Sequence, residues 1–400
     1  MLAPIRAVTP LLLAAFFMVA GISLGNLLVP LRAHAEGWSP ATIGLIGTAY
    51  AAAFTVGCII APRLIMRLGA MRTLVAMLGL LGISMVLIAI FVHPWSWALL
   101  RAMTGFCAAG AYCLIEGWLN ERSENANRGL VFSWYMIACL VGLIGGQYLL
   151  PLSTPLHMTL FLVGALCFWA AIAPVRFPGM TPPQLPKSVK LDFAGVLNNS
   201  PAAAVGNVVS GILFGTWVGF AALFADINGY SGSGIANLMM AGTMGGLLLQ
   251  FPIGRLSDFI DRRIVMAMLG GAGLVLSIVT AVWMPVAPVA LGVLYFCFGA
   301  TLHPGYSLNV AYANDHAGQS SRVSLSSTML VIYGIGSITG PFVAGFAINA
   351  FGYRALFIWL AVGYLIYLVF PLWRMTKRAA PEKQGEFVAT AVTPTEVRRP

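Results

Sequence analysis

Apolar residues along this chain gather into twelve runs of roughly 20, parted by short polar segments. A run of that length is what a helix needs to cross the hydrocarbon of a bilayer. The runs are continuous and do not alternate, so they predict helices and not the strands of a barrel. Six are expected near 10–31, 40–61, 72–92, 95–120, 129–150 and 157–174, and six more near 204–226, 233–254, 264–284, 287–313, 323–348 and 353–374. Ser39-Pro40 supplies an N-cap followed by proline at the first helical position, and Trp38-Ser39 recurs as Tyr230-Ser231 before the eighth run. The pattern predicts an all-α membrane protein in two six-helix halves, 1–174 and 204–374. Between them, 175–203 carries Pro178, Pro182, Pro183, Pro186, Lys187 and Lys190 and reads as a linker. The polar stretch 375–400 reads as a disordered tail.

Composition agrees. Of 400 residues, 59 % are hydrophobic and 8 % charged, and mean hydropathy is +0.88. A soluble domain is near 25 % charged. The net charge of +10 could suggest nucleic acid, but its placement argues for membrane orientation instead. If the N-terminus is cytoplasmic, all 22 basic residues except Arg32, Arg101 and Arg354 fall on the cytoplasmic side. Both termini are therefore expected in the cytoplasm, with lipid around the helices and no nucleic-acid partner. A monomer is expected. Cys58, Cys107, Cys113, Cys139, Cys167 and Cys297 all lie inside apolar runs, without CxxC or Cys/His spacing, so neither a disulfide framework nor a metal centre is expected. The first run lacks a cleavage site and reads as a helix, not a signal peptide.

An internal repeat divides the chain. A shift of 194 superposes Gly105 on Gly299, Tyr112 on Tyr306, Asn120 on Asn314, Glu121 on Asp315, Arg128 on Arg322 and Gly142 on Gly336. A shift of 192 superposes Leu31, Gly37, Trp38, Ser39 and Ile43 on Leu223, Gly229, Tyr230, Ser231 and Ile235. Two parallel repeats about an axis along the membrane normal suit alternating access, with a substrate site between the halves.

After the eighth run the chain reads Gly254-Arg255-Leu256-Ser257-Asp258-Phe259-Ile260-Asp261-Arg262-Arg263. An acid at a helix end beside arginines can form charge-assisted hydrogen bonds to a neighbouring helix. This stretch resembles the signature loop of the major facilitator superfamily, and the helix count and repeat extend the resemblance over nearly the whole chain. In the first half the equivalent stretch holds Pro62, Met66, Arg67, Gly69 and Arg72, with Met66 in the aspartate's place. The pairs Glu121 with Arg128 and Asp315 with Arg322 are similar to the family's E-x6-R element. The resemblance thus implies a cytoplasmic gate of Arg67, Arg72, Glu121, Arg128, Asp258, Asp261, Arg262, Arg263, Asp315 and Arg322. Glu116-Gly117-Trp118-Leu119-Asn120 resembles the bacterial YcaD-like branch of that superfamily.

Arg101, Glu116 and His303 stand well inside apolar runs. Arg101 opens a stretch similar to the family's fourth-helix arginine motif, with small residues after it. It faces either a cavity or, by snorkelling beside Trp95 and Trp97, the outer interface. Glu116, near the inner end of the same helix, either carries a proton or is a structural partner for Arg67 or Arg128. His303, in His303-Pro304-Gly305-Tyr306, sits where a kink is expected, and either exchanges protons or bonds a freed carbonyl. Gly336, Gly340, Pro341 and Gly345 resemble the glycine-proline run of drug/proton antiporters, which in that family lies in the fifth helix. The candidate cavity lining is Asn26, Tyr50, Tyr112, Tyr135, Gln147, Trp217, Tyr295, Tyr306, Asn309 and Tyr333, aromatic and sparsely charged, as suits an amphiphilic small molecule.

These features predict a secondary transporter in the bacterial inner membrane, without a cofactor, moving a small organic molecule by alternating access. Proton coupling is expected, with export placed ahead of uptake. Proton-coupled uptake of an organic anion held by Arg101 is the alternative; a sensor or assembly factor derived from a transporter is the second. No G-x4-G-K-[ST] loop exists for a nucleotide-driven pump, and no nucleophile–base pair or metal cluster for an enzyme.

Overall fold

The computed structural model describes residues 3–123, 127–175, 191–316 and 322–377, of which 3–7, 322 and 323 are described as backbone only. The linker residues 176–190, with their prolines and lysines, and the tail from 378 lie outside it. Among the described residues, twelve helices are long and apolar enough to cross a membrane. In the first half they are α1 (Ala3–Ala35), α2 (Pro40–Leu68), α3 (Ala70–Ile90), α4 (Pro94–Arg122), α5 (Arg128–Gln147) and α6 (Met158–Ala170), the last continued by Ile172–Val175. In the second they are α7 (Pro201–Ile227), α8 (Ser233–Phe259), α9 (Arg262–Trp283), α10 (Pro288–Asp315), α11 (Arg322–Phe351) and α12 (Arg354–Met375).

Several helices run past their apolar stretch. Glu121 and Asp315, expected in loops, stand in the last turns of α4 and α10, and Arg128 and Arg322 open α5 and α11. The backbone ladder continues through these polar turns because each residue added to a helix costs little once the helix exists. The segment expected as linker is also partly helical. Phe193–Asn199 forms a short helix whose N-cap, Asp192, accepts from Gly195 N–H at 2.8 Å. Helix α10 runs unbroken through His303-Pro304-Gly305.

The chain divides into two compact units, residues 3–37 with 52–175 and residues 38–51 with 191–377. The start of α2 thus groups with the second unit. There Thr48 Oγ1 donates to Gly44 O at 2.8 Å and lies 3.4 Å from Ile338 O, and Gly44 lies against Pro341 and Gly345. In the first unit α1 packs on α5 and α6, and α3 on α4 and α6. In the second, α7 packs on α11, α8 on α10, and α9 on α12.

The repeat is physical down to single atoms. In the first unit, a side chain on Gly142 or Gly146 of α5 would collide with the carbonyl of Phe16 or Ala20 on α1. In the second, a side chain on Gly336 or Gly340 of α11 would collide with the carbonyl of Val208 or Ile212 on α7. Both glycines shift by 194 and both carbonyls by 192. Membrane helices associate through close van der Waals packing, so the missing Cβ is what lets these backbones meet. The corners match as well: Gly37 and Gly229 both take positive φ, 77° and 84°, a conformation open to glycine at little cost.

Candidate functional site

In the first bundle the Glu116 side chain is nearly sealed from solvent, at 2 % exposure. Tyr135 of α5, also buried, donates its hydroxyl to Glu116 Oε1 at 2.8 Å. The Cys58, Cys113 and Cys139 thiols lie within electrostatic reach of the carboxyl. Tyr112 stands nearby, edge-on to Phe54 with ring centroids 6.4 Å apart. A buried carboxyl among thiols and phenols is stable when protonated or well hydrogen-bonded, and costly as a bare ion. Arg67 and Arg72 are exposed, Glu121 is exposed and Arg128 is half-buried.

Arg101 lies roughly 10 Å along α4 from Pro94, at 1.5 Å per residue. Its NH2 donates to Asn26 Oδ1 of α1 at 2.8 Å, and the residue is 6 % exposed. The guanidinium is therefore turned inward to an amide and does not snorkel beside Trp95. A shift of 194 puts Tyr295 at this place in the second bundle, where its hydroxyl donates to Ala221 O of α7. Gln147 is buried near the end of α5, and Tyr50 is half-buried on the α2 segment that groups with the second unit. Arg32, which gave no functional signal in sequence, donates to Pro155 O at 3.2 Å, to Leu156 O at 2.6 Å and to Glu36 at 2.6 Å, tying the α5–α6 connection to α1.

In the second bundle His303 is half-buried and pairs Nδ1 with Gly299 O at 2.9 Å. Phe214 meets the imidazole edge-on at 5.6 Å between ring centroids, Tyr333 lies 6.3 Å from Phe214, and Tyr306 lies 5.1 Å from Tyr333. Trp217 packs on Tyr295 and Phe298 at 4.9 and 4.8 Å.

Of the expected cavity lining, Tyr135, Gln147, Trp217, Tyr295, Tyr306 and Tyr333 are buried, and Asn309 is the most enclosed. It is fully buried, with 0 % exposure. Its Nδ2 donates to Ser210 Oγ at 3.0 Å and lies 3.5 Å from Asn207 Oδ1, and Tyr367 donates to its Oδ1 at 3.0 Å. Asn207 donates onward to Met329 O. Five helical groups on α7, α10, α11 and α12 thus satisfy one another inside the bundle, the arrangement a buried amide requires.

At the charged end of the second bundle, Arg262 opens α9 with 1 % exposure. Its Nε donates to Asp315 at 2.7 Å, NH1 to Ser257 Oγ at 2.7 Å and NH2 to Asp258 at 3.3 Å. Asp261 caps α9 by accepting from Arg263 N–H at 2.9 Å and pairs with the Arg263 guanidinium at 2.6 Å. Partial burial pushes the Asp261 carboxyl up, but hydrogen bonds from the Arg263 side chain and backbone, with its charge, outweigh that and hold it below the usual carboxylate range. All of these contacts stay inside the second unit. The Arg322 side chain lies outside the described residues. Ser257, which lies in the signature stretch but not among the expected gate residues, also accepts from Arg262. Among the described residues no cluster of His, Cys, Asp or Glu is placed to hold a metal ion.

These geometries sit on a fold shared with known transporters. The sequence matches the profile of the Major Facilitator Superfamily over residues 11–231 and 203–399. It is 27 % identical over 379 residues to an uncharacterized MFS-type transporter of Yersinia pestis, covering 94 % of this chain and 98 % of that one. It is 28 % identical over 375 residues to the uncharacterized MFS-type transporter YcaD of Escherichia fergusonii, covering 91 % and 94 %. The structure is similar to that of a point mutant of the nucleoside transporter NupG, with a TM-score of 0.77 at 15 % identity over 91 % of this chain and 98 % of that one. It is also similar to an inward-facing bacterial homolog of the human lysosomal transporter Spinster, with a TM-score of 0.67 at 15 % identity over 92 % and 95 %. With a profile match across both halves and a twelve-helix fold to go with it, the chain belongs to the major facilitator superfamily and is a multi-pass secondary transporter.

Proposed function

We propose that this transporter exports a small, moderately apolar organic molecule across the bacterial inner membrane in exchange for protons, with Glu116 as the proton carrier. The observation that carries the reading is the buried Glu116 carboxyl bonded to Tyr135 at 2.8 Å. A carboxyl so placed changes its charge at a cost that depends strongly on its surroundings, and a transport cycle changes those surroundings. The amphiphilic substrate class is supported by the aromatic character of the candidate residues, Tyr112, Trp217, Tyr306 and Tyr333 among them. The distribution of Lys and Arg supports a cytoplasmic position for both termini. The charged ends around Asp258, Arg262 and Asp315, and around Arg67, Arg72, Glu121 and Arg128, act as the cytoplasmic gate, and the protein works as a monomer.

Export stands ahead of anion uptake because Arg101 is committed to Asn26 and buried. The fold likeness to a nucleoside transporter makes nucleosides one arm of any ligand screen. The test is flux. Compounds that raise the unfolding temperature of the purified protein are loaded into proteoliposomes, and their movement is followed under an imposed pH gradient. At least one should move against its own gradient at the expense of the proton gradient. Binding compounds whose flux ignores pH would refute coupling, and binding without flux would favour a sensor.

A further inference from the structure

We propose that the second bundle holds a subsite for a planar aromatic group bearing a neutral hydrogen-bond donor, built on His303 Nε2. The proposal rests on the transporter reading for its occupant, but its test does not require transport.

Gly299 O can only accept, so the 2.9 Å contact fixes the proton of neutral His303 on Nδ1. Nε2 is then an acceptor with its lone pair outward. No hydrogen bond to Nε2 exists among the described residues, and His303 is half-buried, so this acceptor is left for a ligand to match. The ring is held in place from two sides. Phe214 of α7 meets it edge-on at 5.6 Å. On α8, Gly246 lies so close that any Cβ there would fall on the imidazole. That glycine admits the histidine, and the snug fit prevents the ring from swinging away.

The surroundings select the rest of the ligand. Half-buried Phe214 presents its ring edge-on to the imidazole, and buried Tyr333 backs Phe214 at 6.3 Å. Aromatic rings favour offset or edge-on partners, so a flat ligand gains contact here that an aliphatic one of equal size would not. An acceptor at the edge of such a surface favours a phenol over its methyl ether, which has no proton to give and leaves Nε2 unmatched. The repeat does not supply a second copy: a shift of 194 puts Ala109 at this place in the first bundle. The subsite therefore makes one bundle responsible for orienting the substrate.

The test is equilibrium binding of two probes to the full-length protein in detergent, 2-naphthol and 2-methoxynaphthalene. The expected result is about tenfold tighter binding of 2-naphthol, the value of one hydrogen bond. His303→Phe should keep the unfolding temperature near wild type and bind both probes alike. Gly246→Ala, which displaces the ring, should also lose the discrimination. Equal affinity of both probes for the wild-type protein, or no binding of either, overturns the subsite even if no variant folds. Discrimination that survives His303→Phe overturns the role of Nε2. Discriminating binding without flux leaves the subsite standing and counts against the transport reading alone.

Discussion

Arg262 and Asp315, 53 residues apart in sequence, meet at 2.7 Å across the charged end of the second bundle. Both are nearly devoid of solvent contact, 1 % and 4 % exposed at their side chains. Breaking a buried pair leaves one charge uncompensated, which costs about 3–5 kcal/mol. Asp315→Asn should therefore lower the unfolding temperature of the protein in detergent clearly more than Asp258→Asn, whose carboxylate is the more exposed and more distant partner at 3.3 Å. Thermal unfolding of the two variants side by side checks the order.

Asp261 gives a pH dependence. Its carboxyl is held below the usual range by Arg263, despite burial that works the other way. A group whose folded value is depressed contributes stability above its unfolded value, near 4, and that contribution is lost as the pH falls through the folded value. Wild-type protein should thus lose its unfolding-temperature advantage over Asp261→Asn as the pH is taken from about 5 down to about 3. A constant difference over that window would contradict the assignment.

The paired glycines make a symmetric prediction. Gly146→Ala and Gly340→Ala each force a methyl against a carbonyl of the neighbouring helix. Each should destabilise its own bundle by about 1–3 kcal/mol. Gly145→Ala, one residue away with nothing within 4 Å, should be neutral or mildly stabilising. Unfolding temperature and monodispersity of the three variants are the readout.

What could be read from sequence follows from how strictly each position is constrained. The Gly142–Gly336 correspondence was legible because a helix–helix carbonyl contact leaves no room for a side chain, so both copies of the repeat kept glycine. Gly37 and Gly229 were legible because both corners turn through positive φ. Asn207, Ser210 and Tyr367 were not, because a lone polar residue in an apolar run does not say which helix its partner is on. The grouping of residues 38–51 with the second unit was equally hidden, since hydropathy reports that a helix spans and not what it packs against. The helical placement of Glu121 and Asp315 is not legible in sequence, because the apolar run ends before the helix does. Arg101 offered two orientations in sequence, and only the Asn26 contact distinguishes them.

The proton-carrier role of Glu116 is tested most directly by comparing two modes of movement of one binding compound in proteoliposomes. Wild-type protein should both exchange labelled for unlabelled compound and drive net movement under a pH gradient. Glu116→Gln keeps the size and a hydrogen-bond acceptor for Tyr135 but cannot release a proton. It should retain exchange and lose gradient-driven movement. Gradient-driven movement that persists in Glu116→Gln, or exchange that disappears along with it, would contradict the account.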